Sequence, residues 1–174
     1  ETTPEEFRRV IEVNLLGQVW GARAALPHLR RRGGGALIHV TSAEAYVALP
    51  LQSAYAASKA GVTAMVDALR RELEAEGAPI SVTNVLPASI NTPLFSKTAT
   101  RLGVKPRPIP PIYEPGAVAD VILYAATHPV KHIYAGGAAR FFTLAHTLAP
   151  GVVDRVLARR GIPLAPEDLV LHNC

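Results

Sequence analysis

Apolar residues recur at helical spacing in two long stretches of the chain. Over residues 4–32 this spacing predicts one long helix, with Thr3 as its N-cap, Pro4 in its first turn and the glycines at 33–35 as its stop and turn. A second helix is predicted over residues 53–76, with Gly77 as its stop. The apolar positions are Phe7, Val10, Ile11, Leu15, Val19, Ala22 and Leu26 in the first stretch, and Val62, Met65, Val66, Leu69 and Leu73 in the second.

Three shorter apolar runs are typical of buried strands. They cover residues 36–41, 80–86 and 130–134, and a helix is predicted over residues 114–127. Residues 93–113 contain five prolines and no clean periodicity. A long irregular segment of this kind is usually a functional loop or a linker. Two short helices, residues 138–148 and 152–160, follow and are separated by Pro150 and Gly151.

The amino-acid composition argues against several classes of protein. The chain has 174 residues, enough for one core, and 49% of them are hydrophobic without a run that could span a membrane. The net charge is +4, but much of the arginine lies at predicted helix ends, so neither a nucleic-acid partner nor a membrane surface is expected. The single cysteine, Cys174, excludes an internal disulfide and favours a cytoplasmic location. No metal site is expected.

The segment SAYAASKAG, residues 53–61, carries the clearest chemistry. Tyr55 and Lys59 are four residues apart, so they share one face of a helix, beside small residues that leave room for a ligand. A nearby cation stabilises a phenolate, so this pair predicts a tyrosine with a lowered pKa that gives and takes a proton. The spacing alone also arises by chance on helix surfaces, and its surroundings decide between the two interpretations.

Those surroundings resemble the short-chain dehydrogenase/reductase family. Ser42 precedes Tyr55 by thirteen residues at the end of a predicted strand, and Asn14 lies in the first helix. The segments VNLLG around Asn14, VTS up to Ser42 and PASINTP over residues 87–93 also match the family. The resemblance covers about residues 1–135. It implies an α/β fold: part of a Rossmann-like, doubly wound parallel sheet made of its last three strands and flanking helices, followed by C-terminal helices.

The resemblance also implies the catalytic roles. Asn14, Ser42, Tyr55 and Lys59 would form the catalytic tetrad of an oxidoreductase that uses NAD or NADP and interconverts a carbonyl and an alcohol. Tyr55 would move the proton, Ser42 would orient the substrate oxygen, and Asn14 would hold a water that connects Lys59 to solvent. Lys59 would lower the pKa of Tyr55 and bind the nicotinamide ribose.

Further residues are expected to contact the cofactor or the substrate. By resemblance, Tyr55, Lys59, Pro87, Ile90 and Thr92 would bind the cofactor, although Ala88 stands where the family usually has glycine. The substrate would be a small carbonyl or alcohol compound. The resemblance places Ser42, Glu44, Gln52 and Phe95 around it, with Leu94 and Tyr113 as further candidates for an apolar wall.

The family's glycine-rich cofactor motif does not follow a strand anywhere in this sequence, which begins in what is predicted to be the first turn of a helix. The expectation is therefore a C-terminal portion of such an enzyme, without activity on its own. Residues 1–135 would belong to the reductase domain and residues 136–174 to a helical extension. We expect this extension to cap the active site or to dock on a partner subunit. Binding to a membrane surface is the less favoured alternative.

Two other functions remain open on the sequence. The chain could be a non-catalytic interaction module, because the two long helices of this family commonly form a dimer contact, giving a homodimer or homotetramer. A sugar-nucleotide epimerase or dehydratase would keep the same tyrosine and lysine, but the short C-terminal region argues against it.

Overall fold

The computed structural model describes residues 2–93 and 108–160 of the chain. Its helices and strands alternate through most of that length. The α-helices are α1 (Pro4–Ile11), α2 (Gly17–Arg32), α3 (Ser53–Ala75), α4 (Pro115–Thr127), α5 (Gly137–Leu148) and α6 (Pro150–Arg160). The strands are β1 (Gly35–Val40), β2 (Ile80–Pro87), β3 (Ser89–Ile90), β4 (Ile112–Tyr113) and β5 (His132–Ala135).

The spacing predicted one continuous helix over residues 4–32. The structure instead has two α-helices there, α1 and α2. A capping box opens α1: the Glu6 amide donates to Thr3 Oγ1 at 3.2 Å and the Thr3 amide donates to Glu6 Oε2 at 2.8 Å. A π-helical turn, Glu12–Leu16, then separates α1 from α2. In this turn the Gly17 amide donates to the carbonyl of Glu12, five residues back. The wider turn contains Asn14 and turns its side chain towards α3.

The main sheet has three parallel strands in the order β1-β2-β5, which confirms the predicted fold class. Gly35 pairs with Ile80 and Val40 with Val85, while Asn84 of the central strand pairs with His132. Strand β2 is buried along almost its whole length. Continuous burial is typical of a parallel strand covered on both faces, and helix α4 packs on all three strands while α2 and α3 cover β1 and β2.

The core lies between α2, α3 and the first two strands. Val62, Val66 and Leu73 of α3 pack against Ile80 and Val82 of β2, and partly buried residues of α2 surround them. Met65 of α3 also packs against this core, as the helical spacing predicted. The glycines predicted to end the two long helices do so, with φ of 82° at Gly33 and 66° at Gly77.

A second, two-stranded parallel sheet joins β3 to β4 and was not predicted. Tyr113 of β4 is turned towards the start of α5. Its hydroxyl accepts from the Ala138 amide at 3.1 Å, and its ring leaves no room for a Cβ at Gly136, whose φ is 98°. Tyr113 therefore braces the turn between β5 and α5, in addition to any part it has in a pocket wall.

Helices α5 and α6 follow β5 at the predicted places. Most of their large apolar residues are exposed, among them Phe141, Leu144, Leu148, Val152 and Val156. In the two described ranges, no helix is long and apolar enough to cross a membrane.

Candidate active site

Three of the predicted residues meet at the carboxyl end of β1, which is the edge where ligands bind in open parallel sheets. Ser42 follows β1 after one residue. Tyr55 lies in the first turn of α3, and Lys59 lies one turn further along the same helix. Helix α3 packs on the short 3₁₀ turn at residues 43–45, and this contact sets the helix against the loop that carries Ser42.

Ser42 is buried and its hydroxyl has two partners. Its Oγ accepts from the Glu44 amide at 3.1 Å, which makes Ser42 the N-cap of the 3₁₀ turn. Its side chain also forms a hydrogen bond with Tyr55 that lowers the pKa of the phenol. This bond favours the phenolate over the neutral phenol.

Lys59 lies between the strand and the tyrosine. Its Nζ donates to the carbonyl of Val40 at 3.2 Å and lies 5.6 Å from the centre of the Tyr55 ring. Burial lowers the pKa of Lys59, because the protein interior disfavours its charge. Lys59 and Tyr55 therefore lie close together, as the spacing predicted, but Lys59 is not among the causes of the Tyr55 pKa shift, and its effect on the phenol stays a prediction.

The predicted lowering of the Tyr55 pKa is wrong for this structure. Burial raises the pKa of Tyr55, the bond from Ser42 lowers it, and the nearby charge of Glu44 raises it further. Burial is the largest of these causes and therefore decides the direction. The phenol is consequently protonated at neutral pH in the structure as it stands.

Asn14 reaches the site through a residue that the sequence analysis did not identify. Its Nδ2 donates to Ser58 Oγ at 3.3 Å, and Ser58 Oγ donates to the Tyr55 carbonyl at 2.7 Å. Ser58 is wholly buried. A serine directly before Lys59, on the buried face of α3, was the available signal. The π-helical turn is thus tied to the first turn of α3, whereas the water expected at Asn14 stays a prediction.

Glu44 is a largely buried acid in the 3₁₀ turn that follows Ser42. Its Oε2 is buried and has no hydrogen-bond partner among them, while the Leu49 backbone donates to the carboxylate. Burial raises the pKa of Glu44 to about 7. Gln52 is the N-cap of α3 through its carbonyl, which accepts from the Ala56 amide at 2.8 Å, and its side chain makes no capping bond. Substrate contacts by Glu44 and Gln52 stay predictions.

The predicted cofactor residues follow the central strand. Pro87 ends β2, Ile90 ends β3, and Thr92 lies just beyond it on the surface. Phe95, the remaining substrate candidate, lies outside the described residues together with Leu94. The contacts predicted for these positions with a nicotinamide or a substrate stay predictions.

The sequence analysis also did not predict a layer of buried polar side chains below the site. Thr41 Oγ1 is within hydrogen-bond distance of Asn84 Oδ1 at 2.6 Å and of the Val85 carbonyl at 3.1 Å. Asn84 Nδ2 donates to Thr63 Oγ1 at 3.1 Å. These bonds connect the residue before Ser42 to the helical turn after Lys59. Buried polar groups are costly unless paired, so the layer favours one position of α3 on the sheet.

The comparisons with known proteins agree with this geometry. A protein-family model with the description "short chain dehydrogenase" matches residues 1–102, which is more than half of the chain. The chain belongs to the short-chain dehydrogenase family. It is 37% identical over 161 residues to the uncharacterized oxidoreductase YxnA of Bacillus subtilis, covering 91% of this chain and 45% of that protein. It is 34% identical to dehydrogenase/reductase SDR family member 7B of Bos taurus, covering 92% of this chain and 50% of that protein.

Solved structures of the family are also similar. A short-chain dehydrogenase from Burkholderia cenocepacia in complex with NADP superposes with a TM-score of 0.74 at 29% identity, covering 89% of this chain and 60% of the other. One from Mycobacterium paratuberculosis bound to NAD gives a TM-score of 0.63 at 26% identity, covering 80% and 58%. The chain spans about half the length of the curated relatives it matches.

Proposed function

We propose that this chain carries the catalytic residues of an NAD(P)-dependent oxidoreductase that interconverts a carbonyl and an alcohol. The supporting observation is the hydrogen bond between the side chains of Ser42 and Tyr55, with the Lys59 ammonium 5.6 Å from the phenol ring. A hydroxyl, a phenol and a cation in this arrangement suit proton transfer to or from a substrate oxygen.

The proton chemistry follows from the surroundings of Tyr55. Because burial raises the pKa of Tyr55, its hydroxyl keeps its proton at neutral pH and can protonate the oxygen of a carbonyl that is being reduced. In the reverse direction a phenolate must form. The hydrogen bond with Ser42 favours this phenolate, and the Lys59 ammonium, 5.6 Å from the ring centre, would stabilise it further once the phenolate forms. Ser42 in turn is held by the Glu44 amide.

A nicotinamide cofactor, NAD or NADP, would supply or accept the hydride. The donors present suit such a group. Among the described contacts Lys59 uses one of its three ammonium donors, on Val40, which leaves donors for ribose hydroxyls. Pro87, Ile90 and Thr92 follow the central strand at the same edge of the sheet and would contact the nicotinamide. Relatives of known structure bind NADP in one case and NAD in another.

The substrate is proposed to be a small carbonyl or alcohol compound contacted by Ser42, Glu44, Gln52 and Phe95. Residues 1–135 would form the reductase portion and residues 136–174 a helical extension. Because the chain spans about half the length of its relatives, we also propose that these 174 residues alone are inactive and that turnover needs the full-length product of the gene.

The test is oxidation of NADH or NADPH by the full-length product with a panel of aldehydes and ketones. Tyr55→Phe should lower kcat by at least about a hundredfold, since it removes the proton donor, while circular dichroism stays unchanged. Tyr124→Phe, at an exposed tyrosine of α4, is the matched control and should keep full activity. Turnover that survives Tyr55→Phe would refute the assignment, and turnover by the 174 residues alone would refute the proposed inactivity.

A second function is favoured by a separate observation. Val13 of the π-helical turn and Trp20 of α2 are 66% and 57% exposed, so the first helical stretch presents large apolar side chains at the surface. A non-catalytic module that forms a homodimer or homotetramer through the two long helices would use this surface. Sedimentation analysis should then show an oligomer that Trp20→Ser weakens. An oligomer together with complete inactivity of the full-length product would favour this function over the first.

A further inference from the structure

The first turn of α3 carries Tyr55 but lacks the side-chain cap that commonly secures a helix start. Gln52 is the N-cap residue, and among the described residues its side chain makes no capping bond. Its carbonyl accepts from the Ala56 amide at 2.8 Å, which starts the helix. A helix end without a capping side chain is more prone to fray, because its first backbone amides lack partners. The turn that holds the candidate proton donor therefore depends on contacts from further along the chain and from other elements.

Ser58 supplies one of these contacts from within α3. Its hydroxyl donates to the Tyr55 carbonyl at 2.7 Å, and its side chain is 0% exposed. A hydroxyl has one proton to donate, so the Ser58 oxygen remains available as an acceptor. Asn14 Nδ2 is a donor that lies 3.3 Å from this oxygen, so the directions of the two bonds agree. Two hydrogen bonds in series therefore connect the Asn14 side chain to the backbone of Tyr55.

The π-helical turn Glu12–Leu16 brings Asn14 to this place. Leu15 of the same turn packs on Gly61 of α3, where an added Cβ would lie 2.9 Å from Leu15 Cδ2. Ser58 and Gly61 are three residues apart and lie on the same face of α3. The π-helical turn thus meets α3 at two successive points of one face, and this fixes the turn and the helix relative to each other.

The place of the Tyr55 phenol depends on this backbone. The phenol is hydrogen-bonded to the Ser42 side chain, which lies in the loop after β1. Ser42 is held by its own bond from the Glu44 amide at 3.1 Å. A shift of the first turn of α3 would therefore separate the two hydroxyls that must meet one substrate oxygen. A misplacement of about 1 Å in such a group can cost about a hundredfold in rate.

We propose that Ser58 and Asn14 are positioning residues, which together hold the first turn of α3 so that the Tyr55 phenol meets Ser42 and the substrate oxygen. Asn14 acts through Ser58 in this role. The inference deepens the proposed function and rests on it for the effect on rates, whereas the surroundings of the phenol can be measured without turnover. A water held by Asn14 would be a separate role, in which Asn14 acts independently of Ser58.

The test is a double-mutant cycle in the full-length product, with Ser58→Ala, Asn14→Ala and the double variant. Reduction of a carbonyl substrate gives kcat and KM. The NMR signal of the Tyr55 ring carbon that bears the hydroxyl, assigned by its absence from Tyr55→Phe, reports the surroundings of the phenol. Thr143→Ala is the matched control, because Thr143 is a buried residue of α5 whose hydroxyl donates to the Ala139 carbonyl at 2.8 Å. Asn14 is only partly buried, so Asn14→Ala tests the same pair of bonds at the position that tolerates change better.

Ser58→Ala and Asn14→Ala should each lower kcat about tenfold and leave KM within about twofold, because a misplaced proton donor weakens the transition state more than substrate binding. The double variant should have a kcat within about twofold of the slower single variant, since both changes break the same connection. The Tyr55 signal should shift equally in all three variants. In Thr143→Ala, kcat and the Tyr55 signal should both stay unchanged.

Losses that multiply to about a hundredfold in the double variant would overturn the inference, because Asn14 would then act independently of Ser58. An unchanged kcat with an unchanged Tyr55 signal in Ser58→Ala would overturn it as well. A full-length product without oxidoreductase activity, whose Tyr55 signal still shifts equally in the three variants, supports the positioning role and contradicts the proposed function. Turnover that is lost in Tyr55→Phe but kept in Ser58→Ala and Asn14→Ala does the reverse.

Discussion

Two regions of this molecule place their apolar side chains in opposite ways. The strand–helix unit, formed by β1, β2 and α3, encloses Val62, Val66 and Leu73 almost completely. The C-terminal helix pair, formed by α5 and α6, leaves Leu148 75% exposed and Phe141 66% exposed. Ser42, Tyr55 and Lys59 lie on the first region and its adjoining loop.

The difference shows what makes a site precise. In the strand–helix unit, buried polar bonds join the parts that hold the reacting groups, with Asn84 connecting β1 to α3 and Lys59 bound to the Val40 carbonyl. In the C-terminal helix pair, Thr143 and Thr147 donate only to carbonyls four residues back in their own helix. Bonds between elements fix relative position, and bonds within one helix do not.

The largest expected contrast is in stability. Leu73→Ala removes a side chain that is 1% exposed and leaves a cavity, so it should lower the free energy of unfolding by about 2–5 kcal/mol. The same change at Leu148 should cost less than about 0.5 kcal/mol. Urea denaturation of both variants measures the two values. A loss at Leu148 as large as that at Leu73 would show that the C-terminal helix pair is covered in solution.

The second contrast concerns the pH dependence of stability. Burial raises the pKa of Glu44 from its ordinary value of 4.5 to about 7, so the folded state binds more protons than the unfolded state between these values. The contribution of Glu44 to the free energy of unfolding is therefore fully present below pH 4.5. It is lost as the pH rises to about 7, and the free energy of unfolding falls by about 3 kcal/mol.

Glu44→Gln should remove this fall in stability between pH 4.5 and 7, measured as the unfolding midpoint against pH. Burial lowers the pKa values of His39 and His132, so these groups act in the opposite direction, but both remain in the variant and cancel in the difference. Asp154→Asn, at an exposed carboxyl of α6, is the control and should leave the curve close to that of the unchanged protein. An identical curve for Glu44→Gln would contradict the buried, perturbed carboxyl.

The third contrast tests the polar layer below the site. Asn84→Ala leaves Thr41 and Thr63 without their partner in a buried place, so it should cost about 1–3 kcal/mol of stability. Thr147→Ala removes a bond within an exposed turn of α5 and should cost much less. Denaturant midpoints of the two variants give the comparison. Equal small losses would mean that the layer contributes nothing to the position of α3.

The smallest effects are expected for exposed charged pairs. Arg30 and Glu76 connect the ends of α2 and α3, and His146 and Asp154 connect α5 to α6 at 3.5 Å. Each pair is solvated, so Arg30→Ala and His146→Ala should each change the free energy of unfolding by less than about 0.5 kcal/mol. Double-mutant cycles in low and high salt measure the coupling. A coupling above about 1 kcal/mol in either pair would contradict this.

Much of the fold followed from the sequence pattern. The apolar spacing of α3, the glycine stops at Gly33 and Gly77, and the run of apolar residues in β2 depend on local geometry, and all three are confirmed. The π-helical turn at Asn14 was not predictable in this way. One extra residue per turn leaves the apolar spacing readable as a continuous helix, and only the contact with α3 shows where the insertion lies.

The same division applies to the candidate site. Ser42, Tyr55 and Lys59 could be named because each stands in a short motif with fixed spacing, and the structure brings the three together. Asn84 and Thr63 could not be named, because these two partners are 21 residues apart in the sequence. The direction of the Tyr55 pKa was also beyond the sequence, since it depends on how deeply the phenol is buried.

The sequence by itself determined the alternation of helices and strands, the helix stops and the family of the chain, because each of these depends on residues that are close together along the chain. Tertiary structure alone decided which apolar faces are covered, which polar side chains pair in the interior, and that the Glu44 carboxyl is buried with a raised pKa. Burial and long-range pairing depend on which segments meet, and local spacing does not carry that information.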